Sequence, residues 1–124
     1  MTQRLPGTAD EIRARVPGVR DPHAEIRDNV LRAGIVDARL KELCFRSLAG
    51  DAAARDLERY TARERVALEW TEAIAGDSAL ADDALWSRLR ALFTEPELVD
   101  LGCAIGFELG YQHWRRTIGL GARD

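Results

Sequence analysis

Residues 94–120, TEPELVDLGCAIGFELGYQHWRRTIGL, constrain the fold more than any other stretch of the chain. Thr94-Glu-Pro-Glu97 has the spacing of a capping box, with Pro96 in the first turn, where its missing N–H does no harm. The apolar run that follows predicts the longest helix of the protein, ended by Gly119 and Gly121. Gly102, Gly106 and Gly110 recur every fourth residue, so they form one smooth strip along that helix. Each interior glycine costs roughly 1 kcal/mol against alanine, which points to compensation by close helix–helix contact, within the subunit or across a symmetry axis.

The rest of the chain repeats the same grammar on a smaller scale. Thr8–Glu11 forms another capping-box pattern, followed by a short helix to about Arg15 and a turn over Pro17, Gly18, Asp21 and Pro22. Residues 1–22 therefore read as an N-terminal arm anchored by Ile12 and Val16, and 23–124 as one helical domain. His23 to Ala33 has helical spacing of Ile26, Val30 and Ala33, with Gly34 to end it. Asp37 is placed to cap a helix whose Leu40, Leu43, Cys44, Ser47 and Leu48 make a buried stripe. Residues 51–60 have the weakest periodicity and predict a loop or a single turn tethered by Leu57 and Tyr60. Thr61–Glu64 caps a helix to Ala75 with Val66, Trp70, Ala73 and Ile74 inward. Asp82 or Asp83 opens the next, with Leu85, Trp86, Leu89, Leu92 and Phe93 on one face. No stretch alternates with a period of two, so the expectation is an all-α, single-domain bundle of about six helices.

Charge narrows the function classes. The net charge is -3, and the basic residues are arginines interleaved with acids, Lys41 being the only lysine. That pattern describes solvated helix surfaces and offers no footprint for nucleic acid. The opening residues lack the apolar core of a signal peptide, and no run reaches the ~18 uninterrupted apolar residues of a membrane span. Cys44 and Cys103 lie far apart, which suits a reducing, cytoplasmic setting.

Three pieces, LRAGIVDARLKEL (31–43), TARERVALEWTEA (61–73) and LWSRLRALFTEPELVDLGCAIGFEL (85–109), together resemble the carboxymuconolactone decarboxylase family, which includes the alkylhydroperoxidase D-like proteins. The resemblance implies an alkylhydroperoxidase D-like all-α fold and a homo-oligomer, commonly a trimer or hexamer. It also implies a departure. In redox-active members the helix matching Leu40–Leu48 leads into a second helix, and this region carries a Glu, a Cys-x-x-Cys pair and a His. Here Cys44-Phe-Arg-Ser47 lacks the second cysteine, and the chain passes almost directly to Thr61. One thiol of such a pair attacks and the other resolves, so peroxidase chemistry does not carry over.

The remaining candidates lie on the long helix. Glu108 stands between Phe107 and Leu109 in a run otherwise uncharged from Leu101 to Gln112, and burial would raise its pKa towards that of a general base. Gln112 and Arg115 fall on its side of the helix and Tyr111 lies three residues on. An exposed carboxylate, or an ion pair across a subunit contact, is the favoured alternative. The catalytic candidates are thus Glu108, His113 and Arg115, with Arg115 to hold a small carboxylate and Glu108 or His113 to move a proton. Against this, His113 and Arg115-Arg116 suit a helix C-terminus simply as cations. His23 is expected to be exposed, and both cysteines are expected in the core. No metal set and no cofactor motif is present in the sequence. The leading expectation is a homo-oligomeric ligand-binding or structural domain without the redox pair. The alternatives are a cofactor-free lyase or isomerase and, last, a thiol peroxidase using Cys44.

Overall fold

The computed structural model describes residues 2–123 and is all-helical, with no strand among them. The α-helices are α1 (Ala9–Arg13), α2 (Pro17–Ile26), α3 (Ala38–Leu48), α4 (Ala52–Arg55), α5 (Ala62–Ala75), α6 (Asp83–Leu92) and α7 (Glu95–Thr117). Short side chains start most of them. Asp37 accepts from Leu40 N, Asp51 from Ala53 N and Asp82 from Leu85 N. The boxes at Thr61–Glu64 and Thr94–Glu97 close reciprocally, each side chain bonding the other residue's backbone N–H.

Helices α3, α5 and α7 pack on one another, and α6 covers α5. Their shared core includes Leu40, Leu43, Cys44 and Leu48 of α3, Val66, Leu68 and Trp70 of α5, and Leu98, Leu101, Ala104 and Ile105 of α7. Val66, Ala67 and Leu68 are buried in succession, because α5 has neighbours on more than one side. Of the face expected on α6, Leu85, Leu89 and Phe93 are buried, whereas Trp86 is half-buried and Leu92 lies at the exposed edge.

The N-terminal region corrects two expectations. Helix α2 begins at Pro17, not at His23, so the expected turn is the first part of a helix containing Pro22. Pro17 fits at the first helical position because that N–H would lack an intrahelical partner anyway. The helix runs on into a π-helical turn, Arg27–Leu31, closed by Arg32 N to Arg27 O at 3.0 Å. Of the two expected anchors, Ile12 is buried and Val16 is exposed.

The glycine strip is divided. A Cβ on Gly102 would lie 2.6 Å from Cη2 of Trp70, so this glycine admits the indole ring. Gly106 and Gly110 have open space where a Cβ would stand. Beside them Phe107 is 39% and Val99 63% exposed. Close packing within the subunit therefore accounts for one glycine of the three.

Lys41, which the sequence marks only as the single lysine, is 0% exposed. Its Nζ donates to the carbonyls of Val30 (2.7 Å) and Ala33 (2.6 Å) and pairs with Asp100 Oδ2 at 2.8 Å. Asp100 also accepts from Ile35 N and Val36 N. Gly34, at φ +97°, carries the chain past this pair, and a Cβ there would collide with Asp100 and Lys41.

Candidate functional site

Glu108 faces a cleft of about 180 Å³ bounded by α1, α2, the π-turn, α3, α7 and the segment after α7. The helical period decides what shares it. Tyr111 and Arg115, three and seven residues on, line the same cleft, while Gln112 lies buried beneath it. Gln112 Nε2 donates to Glu108 Oε2 at 2.9 Å and to Phe45 O, on α3, at 3.0 Å. A flipped amide would set its oxygen against two acceptors, so this arrangement fixes the rotamer of Gln112 and steadies that of Glu108.

Cations line the cleft, and two of them, Arg123 and Arg115, act on the carboxylate. Arg13, Arg27, Arg32, Arg115 and Arg123 line the cleft, against the acids Asp10, Glu42 and Glu108. Arg123 Nη2 donates to Glu42 Oε2 at 2.8 Å, and its Nε lies 3.6 Å from Glu108 Oε2. Arg115 is buried and donates from Nε to Gly121 O at 2.9 Å, which ties the segment after α7 back to the helix. Arg13 is buried as well, pairs with Asp10 at 3.2 Å, and stacks over the Tyr111 and Trp114 rings.

Burial pushes the Glu108 carboxyl above the usual carboxylate range, while the Gln112 hydrogen bond and the Arg123 guanidinium pull it back. The side chain is 13% exposed, so desolvation and access coexist. His23, expected at the surface, is half-buried against Tyr111 with ring centroids 4.7 Å apart. Burial, then the nearby Arg13 charge, lowers its pKa and favours neutral imidazole. Burial raises the Tyr111 phenol. The cleft thus combines a carboxyl with a raised pKa, an imidazole with a lowered one, a phenol and several guanidinium groups.

Of the three catalytic candidates, the structure brings Glu108 and Arg115 into one cleft. His113 lines a different one of about 280 Å³, with Ser47, Arg55, Glu72 and Arg116. Its position five residues after Glu108 turns it to another side of the helix. The sequence reading missed Arg13, His23, Glu42 and Arg123, which come from other elements and join Glu108 only through tertiary folding.

The cysteines part company. Cys44 is fully buried, and burial pushes its thiol up to about 11, with the Thr71 side chain working the other way. Cys103, expected in the core, is exposed beside Trp70 and Trp86 on the outer side of α7. The correction follows from the helical period, since Cys103 is one residue before the buried Ala104 and shares the open side with Val99 and Phe107. Among the described residues no group of three or more His, Cys, Asp or Glu side chains is placed to hold a metal ion, and no helix is long and apolar enough to cross a membrane.

Comparison with family models, with curated proteins and with solved structures found no match.

Proposed function

We propose that the chain is a carboxymuconolactone decarboxylase-like helical protein without the redox pair, with an alkylhydroperoxidase D-like fold, that binds a small carboxylate in the Glu108 cleft. The observation that carries this reading is the set of arginines from α1, the π-turn and the segment after α7 that line one cleft with a half-buried, Gln112-bonded carboxyl. A guanidinium offers planar, paired donors to a carboxylate, and a cleft with more cations than acids favours an anionic guest. The face of α7 left open at Gly106 and Gly110, with Phe107 and Val99 beside it, supports assembly into a homo-oligomer of the trimer or hexamer kind. Two free thiols suit the cytoplasm.

A second reading rests on the raised carboxyl pKa: a cofactor-free lyase or isomerase in which Glu108 takes a proton from its substrate and returns it, while an arginine such as Arg115 holds the substrate carboxylate. His113 would serve such a reaction only at the other cleft. Thiol peroxidase chemistry through Cys44 has least support, because that thiol is buried, protonated and without a neighbouring cysteine.

Calorimetric titration with paired probes tests the reading. Small mono- and dicarboxylic acids are expected to bind, and the corresponding neutral amides to bind at least tenfold more weakly. Equal responses to acid and amide would overturn carboxylate recognition. A substrate turned over by wild type and by Glu108→Gln at the same rate would end the case for Glu108 as base.

A further inference from the structure

The segment after α7 contributes Ala122 and Arg123 to the lining of the cleft. Ile118 ends α7, and Leu120 N bonds back to Arg115 O at 2.9 Å. Arg115 Nε holds Gly121 O, and Arg4 N bonds Ile118 O at 2.7 Å. The chain is thus tied on both sides of its turn, and Ala122 and Arg123 are laid against the cleft. Arg123 then spans two helices, with its terminal nitrogens on Glu42 of α3 and its Nε towards Glu108 of α7.

We propose that Arg123 is a positioning residue for Glu108: docked on Glu42, it sets its charge beside the Glu108 carboxyl, favouring the ionised form and its Gln112-bonded orientation. This inference concerns the cleft assigned above to a small carboxylate and rests on that assignment only for its use, not for its geometry. Glu42 is the dock because two oxygens meet two guanidinium nitrogens there, which fixes the plane of the fork. Glu108 receives the remaining edge at a longer distance, so its hold is electrostatic more than directional. The centroid of the Phe45 ring lies 5.8 Å from the guanidinium carbon, within reach of a cation–π contact.

The other charges bear on Glu108 in both directions. Arg115, from α7 itself, favours the ionised carboxyl, and Glu42 opposes it. From the facing elements, Asp10 and Arg13 of α1 form their own pair, while His23 of α2 is disfavoured as a cation and so adds little charge. Arg27 of the π-turn is engaged with Asp28 at 2.9 Å, and Arg32 lines the cleft beyond it. Among the ion pairs described, Arg123 is the cation that meets Glu108 within 4 Å. Burial is the largest influence on the carboxyl, and the loss of Arg123 removes one of the interactions that oppose it.

The test reads Glu108 directly. Glutamate side chains are labelled with carbon-13, the Glu108 carboxyl resonance is assigned by its disappearance in Glu108→Gln, and its midpoint is followed against pH. In Arg123→Ala the midpoint is expected to move upward, and in Arg123→Lys to return most of the way to wild type. An unchanged midpoint in Arg123→Ala overturns the proposal. So does an equal upward shift in both variants, since the ordering of the segment, and not the charge, would then be responsible. Helix content by circular dichroism should stay constant, because Arg123 lies outside every helix. The titration uses no ligand, so it can succeed where carboxylate binding fails, or fail where binding succeeds.

Discussion

Asp100 and Glu108 sit about two turns apart on α7 and both meet α3 residues or their partners, yet they are held in opposite ways. Asp100 faces Lys41, whose ammonium is wholly removed from water and surrounded by three oxygens. Every cationic N–H there has a neighbour, and two backbone amides of the 34–36 turn complete the carboxylate. Glu108 faces a cleft, has one amide bond, and shares a half-exposed arginine with Glu42. The first arrangement commits one carboxylate oxygen, Asp100 Oδ2, to three fixed donors. The second leaves a carboxyl whose charge state depends on a cation that another anion can attract. Desolvation is present at both ends, but Asp100 has three fixed donors against it and Glu108 has one amide and a more distant guanidinium.

The largest expected effect breaks the closed end. Asp100→Ala strands the Lys41 ammonium and leaves Ile35 N and Val36 N without their acceptor. A cost of about 3–5 kcal/mol in urea unfolding is expected, on the scale of a buried pair deprived of one partner. A loss below about 1 kcal/mol would mean that the turn relaxes to admit water, and the contrast between the two ends would disappear.

Next in size is a comparison along the glycine strip. Gly102→Ala must displace the Trp70 ring, which also packs edge-on against Trp86 at 5.5 Å, and should destabilise by about 1–3 kcal/mol. Gly106→Ala meets open space and should stabilise the isolated subunit by up to about 1 kcal/mol through helix propensity. Light scattering supplies the second readout. The 13.8 kDa chain is expected to run as an oligomer at micromolar concentration and to dissociate more readily in Gly106→Ala. A monomeric wild type would remove the α7 face as a subunit contact.

The Thr61–Glu64 and Thr94–Glu97 capping boxes, the Thr8 cap bond, apolar spacing and the end of α7 were legible in the sequence because each is local: the side chain and the backbone it satisfies are within four residues. The Glu108–Gln112 contact was legible for the same reason, being one helical turn. Lys41 was not, since a lysine on a helix normally signals solvent, and its three oxygen partners come from residues 30, 33 and 100. Arg123 and Glu42 are 81 residues apart, and no periodicity joins them. Pro17 and Pro22 are turn signals by residue type, yet a proline at the first helical position is also a start signal, and the exposed face of α2 tolerates the second. The site was therefore half legible: the part on α7 could be read, and the part that other elements bring to it could not.

The smallest expected effect belongs to the open end and is recognised by its pH dependence more than its size. Burial raises the Glu108 carboxyl in the folded protein, so the folded state holds that proton more tightly than the unfolded chain does. The resulting stability is fully present below the unfolded carboxyl pKa of about 4.3 and is lost as pH rises through the folded value. Glu108→Gln keeps the shape and the hydrogen-bonding reach of the side chain but has no proton to lose. Relative to wild type it should therefore gain stability on going from acid to neutral pH, and then level off. Urea midpoints measured at a series of pH values would show the trend. If wild type instead gained on the glutamine variant as pH rose, the folded carboxyl would be depressed. Arg123 would then outweigh burial, and Glu108 would resemble Asp100 as a structural anion instead of a proton carrier.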